Sequence, residues 1–138
     1  MSEAKVIMAR PDVDIEEAID DLIAHYPPLA HDRRRIQCRV KNGVVTLSGH
    51  VMARITHRYL EEQLPAIDGV KSVKSDKLYD DETIRLEVGK LIAPGVQVRV
   101  EYGAVILAGR LPGDVDAGKL VRQVKKIPGV DQVLTNFV

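Results

Sequence analysis

The stretch VKNGVVTLSGHV at residues 40–51 decides the fold, because its pattern returns as VEYGAVILAGRL at residues 100–111. Residues 37–78 align on residues 97–138 without a gap. The positions that recur are Gln37, Arg39, Val40, Gly43, Val45, Leu47, Gly49, Ile67, Gly69, Val70 and Val73, which return as Gln97, Arg99, Val100, Gly103, Val105, Leu107, Gly109, Ile127, Gly129, Val130 and Val133. Spacing that is preserved over so long a span predicts a duplicated structural unit.

The repeated stretch has the pattern of a β-hairpin. Apolar and polar residues alternate along residues 36–41, which is the two-residue period of a half-buried strand. Asn42-Gly43 then predicts a type I′ turn, which needs positive φ at both central positions. In the second copy Tyr102 takes the place of Asn42. Because positive φ is sterically costly for tyrosine, we expect a different turn there.

Apolar residues at helical spacing predict one helix before each hairpin and one after it. The opening helices carry Ile15, Ile19, Leu22 and Ile23 in the first copy and Ile84, Val88, Leu91 and Ile92 in the second. The closing helices carry Ile55, Leu60, Leu64 and Ile67, matched by Val115, Leu120, Val124 and Ile127. Gly69 and Gly129 suit the left-handed position after these helices, and a last strand follows each glycine.

The predicted fold class is α+β, with two tandem αββαβ units. Each unit is a three-stranded mixed sheet covered on one face by two helices. We expect an N-terminal tail at residues 1–12, a first domain at 13–79 and a second at 80–138. The first copy also contains an insertion near residues 24–35, read as a proline-containing loop, HYPPLAHDRRR, where the second copy has only APG.

Composition favours a globular protein without a strong overall charge. The chain is 45% hydrophobic and 29% charged, and its 20 basic residues balance its 20 acidic residues. No apolar run is long enough for a signal peptide or a membrane span, so we expect a cytoplasmic protein, or a periplasmic or envelope protein if an export segment was removed. A single cysteine, Cys38, excludes an intramolecular disulfide.

The hairpin pattern V-x-x-G-x-V-x-L-x-G-x-V, followed by I-x-G-V-x-x-V before the last strand, resembles the BON domain of bacterial osmotic-stress and nodulation proteins. The resemblance covers nearly the whole chain in two copies, with Leu111 as a conservative departure. It implies association with phospholipid surfaces, often in envelope proteins, and no catalysis. For cytoplasmic relatives it implies ion sensing. The matching residues are core and turn positions, so they specify the fold far better than the chemistry.

No residue pattern predicts a catalytic, cofactor or metal site. Cys38 lies on the inward face of its strand and is expected to be a buried, inert thiol. The four histidines, His25, His31, His50 and His57, lack the spacing of three or four converging metal ligands and are interpreted as solvated or packed side chains. The acidic pairs Asp20-Asp21 and Glu61-Glu62 are interpreted as solvated helix faces.

Two basic clusters are candidate binding surfaces. Lys119, Arg122 and Lys126 share one face of the last helix by their spacing, and Arg33, Arg34 and Arg35 close the inserted loop. The helix cluster is either a solvated flank or a contact for anionic lipid, where a basic residue contributes about 1 kcal/mol. Four tyrosines and one phenylalanine supply no aromatic run for base stacking, which disfavours nucleic acid as a partner.

The outward positions of the second hairpin are unusually apolar. They are Ala104, Ile106 and Ala108, where the first copy has Val44, Thr46 and Ser48. We expect this face to be covered by the first copy or by a second chain. The sequence thus predicts a non-enzymatic binding module that associates peripherally with anionic phospholipid. The alternative is a cytoplasmic protein-interaction or ion-responsive scaffold, with another protein or a homo-oligomeric copy as partner.

Overall fold

The computed structural model describes residues 10–138, so the first nine residues of the expected tail lie outside the described range. The helices are α1 (Asp12–His25), α2 (Pro27–Asp32), α3 (Arg54–Gln63), α4 (Asp81–Gly89) and α5 (Ala117–Lys125). The strands are β1 (Ile36–Lys41), β2 (Val44–Val51), β3 (Ser72–Asp80), β4 (Val96–Glu101), β5 (Ala104–Gly109) and β6 (Gln132–Phe137). Short 3₁₀ turns at Arg33–Arg35 and Leu64–Ala66 follow α2 and α3.

Two three-stranded mixed sheets confirm the predicted duplication. The strand orders are β1-β2-β3 and β4-β5-β6, and in both sheets the first pair is antiparallel and the second parallel. The central strand of each unit is therefore the second strand of its hairpin. Because a parallel pair needs a crossover connection, α3 and α5 return the chain to the other edge of each sheet.

The expectation of a gapless alignment is wrong at one place in β3. The registers agree up to Thr46↔Lys74, which corresponds to Ile106↔Leu134 in the second copy. The next pair is Ser48↔Lys77, whereas the second copy pairs Ala108↔Asn136, so β3 has one extra residue between these two pairs. A β-bulge of this kind bends a strand locally, and the sequence repeat does not reveal it.

Each unit has its own hydrophobic core between its helices and its sheet. The first core is built from Ile15, Ile19, Ile23, Leu29, Val45, Leu47, Val51, Leu60, Leu64 and Leu78. The second is built from Ile84, Val88, Val96, Val105, Leu107, Leu120 and Val124. Two predicted core positions are wrong. Ile55 is 66% exposed, because Thr56 occupies the inward position of α3, and Leu91, which follows α4, is 38% exposed.

The two hairpin turns have the same conformation, which corrects the expectation for Tyr102. Asn42 and Gly43 have φ of 51° and 78°, and Tyr102 and Gly103 have φ of 46° and 85°. Gly69 and Gly129 do have positive φ, but each lies in a turn that begins after its helix has ended. Hydrogen bonds from Val70 N to Ile67 O and from Val130 N to Ile127 O close these turns. The glycines serve the turns, which require positive φ at their third position.

The insertion in the first copy forms a helix, which corrects its interpretation as a loop. Pro27 and Pro28 open α2, where a missing N–H costs nothing because the first helical N–H groups have no partner within the helix. Tyr26, just before α2, stacks on Tyr59 of α3 with ring centroids 3.9 Å apart. The two units follow one another directly, since Asp80 ends β3 and caps α4 by accepting a hydrogen bond from Thr83 N at 2.8 Å.

Candidate functional site at the junction of the two copies

One carboxylate at the start of each unit holds the hairpin turn of that unit. Asp12, the first residue of α1, accepts hydrogen bonds from Asn42 N at 2.8 Å and Gly43 N at 3.0 Å. Asp81, the first residue of α4, accepts them from Tyr102 N at 2.7 Å and Gly103 N at 3.1 Å. Burial of Asp81 raises its pKa, although both N–H groups act in the opposite direction. The duplication therefore includes these carboxylate–turn hydrogen bonds as well as the hydrophobic core.

The insertion of the first copy binds Tyr102 of the second. Asp32 is 2% exposed, and its carboxylate accepts hydrogen bonds from Tyr102 Oη at 2.8 Å and from Met52 N at 3.2 Å. The guanidinium carbon of Arg35 lies 4.8 Å from the centre of the Tyr102 ring, within cation–π range. Burial, together with the hydrogen bond to Asp32, raises the pKa of Tyr102 to about 12, so the phenol stays a donor at neutral pH.

A second set of contacts joins β2 and β3 to the turn before β6. His50 Nε2 donates to the carbonyl oxygen of Gly129 at 2.6 Å and lies 3.8 Å from the Asp131 carboxylate. A Cβ on Gly129 would lie only 2.6 Å from Cγ of Tyr79. The close approach of the two copies therefore needs glycine at this position. The junction is defined by residues from both copies. The first copy contributes Asp32, Arg35, His50, Tyr79 and Asp80, and the second contributes Asp81, Tyr102, Gly103, Gly129 and Asp131.

A histidine–aspartate pair lies beside the junction. His57 Nδ1 donates to Asp80 Oδ1 at 2.9 Å, and His57 Nε2 is 3.6 Å from Glu61 Oε2. Burial by itself would raise the pKa of Asp80, but the hydrogen bonds from Thr83 and His57 outweigh it and hold this pKa below its usual range. Across the same boundary, Arg54 N donates to Glu82 Oε1 at 3.0 Å. These bonds tie α3 of the first copy to the start of the second.

His57 and Asp80 also line a pocket of about 280 Å³ whose other walls include Leu78, Tyr79, Ile84, Ile127 and Pro128. Both oxygens of Asp80 already accept hydrogen bonds, from His57 and from Thr83 N, so the pair has a structural use. Within residues 10–138 no group of three or more His, Cys, Asp or Glu side chains could hold a metal ion. The pocket can bind and orient a small molecule, and the polar groups around it hold one copy against the other.

The predicted site residues fall on three separate surfaces. Lys119, Arg122 and Lys126 are exposed on α5 and at its C-terminal end, opposite the buried Leu120 and Val124. Arg34 and Arg35 line a cleft at the junction, whereas Arg33 does not. Ala104, Ile106 and Ala108 are half-buried on β5, and they face away from the core residues Val105 and Leu107. The structure therefore does not bring the two basic clusters and the apolar face into one site.

Cys38 is half-buried and packs against the first core. Burial raises the pKa of its thiol to about 11, and the charges of Asp20 and Glu16 add to this rise. At neutral pH the sulfur is therefore protonated and a poor nucleophile.

Sequence reasoning missed the residues that build the junction. His50 and His57 were interpreted as solvated or packed side chains, and both take part in contacts between the copies or next to them. Asp32 lies in the insertion, which has no counterpart in the second copy, and Tyr102 departs from the Asn-Gly pattern. The sequence signal that could have indicated the junction residues is the set of positions at which the two copies differ.

Comparison with known proteins identifies the repeated unit. The family model of the BON domain matches the chain twice, over residues 11–78 and 80–138. No match was found among curated proteins.

Among solved structures, the chain is similar to CdsD, a structural protein of the type III secretion system of Chlamydia trachomatis, with a TM-score of 0.70 and 17% identity over 94% of this chain and 63% of that one. A structure of the CdsD C-terminal domain gives a TM-score of 0.62 and 15% identity over 88% of this chain and 64% of that one. The chain thus spans less than two thirds of either structure, and at these identities the similarity shows the fold alone.

Proposed function

The chain belongs to the BON domain family, and from this premise we propose that it is a non-enzymatic binding protein that attaches peripherally to anionic phospholipid surfaces. Two BON units are joined directly, without a linker, and hydrogen bonds between the copies fix their relative position. Within the described range, residues 10–138, no helix is both long and apolar enough to cross a bilayer.

The observation that carries the proposal is the basic face of α5, formed by Lys119, Arg122 and Lys126. All three side chains are exposed, and none of them forms an ion pair with a described residue. Leu120 and Val124 hold the opposite side of the helix in the second core, which fixes the direction in which the charges point. Each basic residue near an anionic membrane contributes about 1 kcal/mol, so three give a weak, reversible and salt-sensitive attachment.

Sedimentation with liposomes tests the proposal. The wild-type protein should pellet with vesicles of phosphatidylglycerol and phosphatidylcholine, less so at high salt, and should stay in the supernatant with phosphatidylcholine alone. The triple variant Lys119→Glu, Arg122→Glu, Lys126→Glu should lose the pelleting, because it reverses the charge of the α5 basic face.

A matched control separates this face from the overall charge. Arg39, Lys41 and Lys74 are exposed residues of the first sheet, and replacing all three by glutamate changes the net charge by the same amount. This control should still pellet. Equal pelleting of the α5 variant and the wild-type protein would overturn the proposal, and equal loss in both triple variants would show that net charge alone is responsible.

A protein scaffold is the second candidate function. The observation that favours it is the row of half-buried apolar side chains on the outward face of β5, beside Leu134, which is 50% exposed. An apolar row of this kind is typical of a surface that another protein covers. It is tested by the oligomeric state, as described for Ile106 below.

A further inference from the structure

A basic cleft of about 420 Å³ lies where the insertion, the first sheet and the second copy meet. Its lining includes Arg34, Arg35, His50, Lys77, Tyr79 and Tyr102. The cleft exists only when the two copies are docked, because Tyr102 and Asp131 come from the second copy and the cations come from the first. It is separate from the α5 basic face, none of whose residues lines it.

We propose that this cleft binds the phosphate group of a phosphorylated small molecule. Arg34, Arg35 and Lys77 converge on one concave surface, and none of the three forms an ion pair with a described residue. Among the described lining residues, Asp131 is the acidic one, and it lies next to His50 at 3.8 Å. Three like charges in one concavity repel one another, and a phosphate monoester, with a charge between about −1.5 and −2 at neutral pH, relieves this repulsion.

The residue before the arginine run and the Arg35 side chain are held in place before any ligand arrives. Asp32, directly before the 3₁₀ turn Arg33–Arg35, is fixed by its bonds to Met52 N and Tyr102 Oη. Arg35 is further held over the Tyr102 ring. A guanidinium presents paired N–H donors that match two phosphate oxygens, and holding it in advance reduces the entropy lost on binding.

The size of the cleft and its aromatic walls define the ligand class. A volume of about 420 Å³ falls in the range of small-molecule sites, about 300–1,000 Å³. Tyr79 and Tyr102 place ring surfaces beside the cations, so the ligand can combine a phosphate with an apolar or planar body. The same chemistry would also accept a phosphate at the head group of a lipid, and the experiment distinguishes the two sources.

Titration calorimetry with inorganic pyrophosphate tests whether the cleft binds the phosphate of a free small molecule. The wild-type protein should bind it saturably with one site per chain. Arg34→Ala and Lys77→Ala should each weaken binding about tenfold or more, because each removes a charge-assisted hydrogen bond. Arg33→Ala is the matched control, since Arg33 belongs to the same arginine run but does not line the cleft, and its affinity should equal that of the wild type. Thermal melting of all variants checks that each is folded.

Vesicles of phosphatidic acid and phosphatidylcholine test the lipid source with the same cleft variants, each made in the α5 triple variant so that the α5 basic face does not bind the vesicles. Binding to vesicles but not to pyrophosphate, lost in Arg34→Ala and Lys77→Ala and kept in Arg33→Ala, would assign the phosphate to a head group. The inference is overturned if neither probe binds, if the cleft variants bind both probes as the wild type does, or if Arg33→Ala loses as much affinity as they do. The α5 triple variant should retain pyrophosphate binding, so failure of the proposed lipid attachment leaves this test unaffected.

Discussion

At the scale of single residues, Tyr102 shows how a departure from a repeat pattern identifies a functional position. Asn42 fills the same turn position in the first copy and tolerates its φ of 51° more readily than tyrosine tolerates 46°. At this position the tyrosine hydroxyl donates to Asp32, and its ring lies under Arg35. A local backbone cost is thus offset by contacts between the copies.

Tyr102→Phe should destabilise the protein by about 1–3 kcal/mol, because it leaves a buried oxygen of Asp32 without this donor. Denaturant unfolding, followed by circular dichroism, measures the loss. Tyr59→Phe is the control, since Tyr59 stacks on Tyr26 and its hydroxyl makes no hydrogen bond with a described residue. If the two variants unfold at the same denaturant concentration, the Asp32–Tyr102 bond contributes nothing to stability.

At the scale of elements, Asp12 and Asp81 show that an opening helix positions the hairpin that follows it. Each carboxylate lies at the first residue of its helix and accepts both N–H groups of a type I′-like turn. The helix N-terminus also favours a negative charge. Helix and hairpin are therefore joined through polar contacts at one end and through the core along their length.

Asp81→Ala should cost more stability than Asp12→Ala. Asp81 and Gly103 are buried, so the alanine variant leaves an unsatisfied donor at a cost of about 1–3 kcal/mol. Gly43 is buried like Gly103, but Asp12 is only half-buried and Asn42 is exposed, so water can reach the turn when Asp12 is replaced. Thermal melting of both variants shows which one loses more stability, and Asp14→Ala of α1 is the exposed control. An equal or reversed order would show that burial does not decide the contribution of these carboxylates.

The sequence predicts the elements well because period and spacing are local properties. Val45, Leu47, Leu60 and Leu64 lie in the core as their spacing predicts. Ile55 does not, because hydrophobicity alone cannot show that Thr56 takes the inward position. The junction could not be predicted, since Asp32, His50 and Tyr102 are brought together only by the docking of two complete units. The candidate clusters were predicted as residues, but their separation on the surface depends on how the helices and strands pack in three dimensions.

At the scale of the whole molecule, the junction joins two copies without providing for a third. Asp32 belongs to an insertion that the second copy lacks, and Arg110 stands in the second copy where the first has His50. At the other end, Asn42 of the first copy replaces the Tyr102 that Asp32 binds. The interface is therefore specific to one ordered pair, and the same contacts cannot extend head to tail into an array.

The outward face of β5 is not used by this junction, and that makes Ile106 informative about partners. The hydrogen bonds between the copies reach Tyr102 and Gly129, and Ile106 is half-buried between Arg99 and Leu134 of its own sheet. These contacts therefore do not cover the outward face of β5 with the first copy. That a second chain covers this face stays a prediction.

Ile106→Glu should lower the mass in solution and the melting temperature, because a charge replaces an apolar side chain whose full burial contributes about 1.5–3 kcal/mol. Thr46→Glu is the matched control, since Thr46 holds the same outward position in the first copy and is exposed, and it should change neither quantity. Light scattering coupled to gel filtration measures the mass, and calorimetry measures the melting temperature. If Ile106→Glu keeps the wild-type mass and melting temperature, Ile106 faces solvent, and the apolar row on β5 is not an interface between copies of this chain.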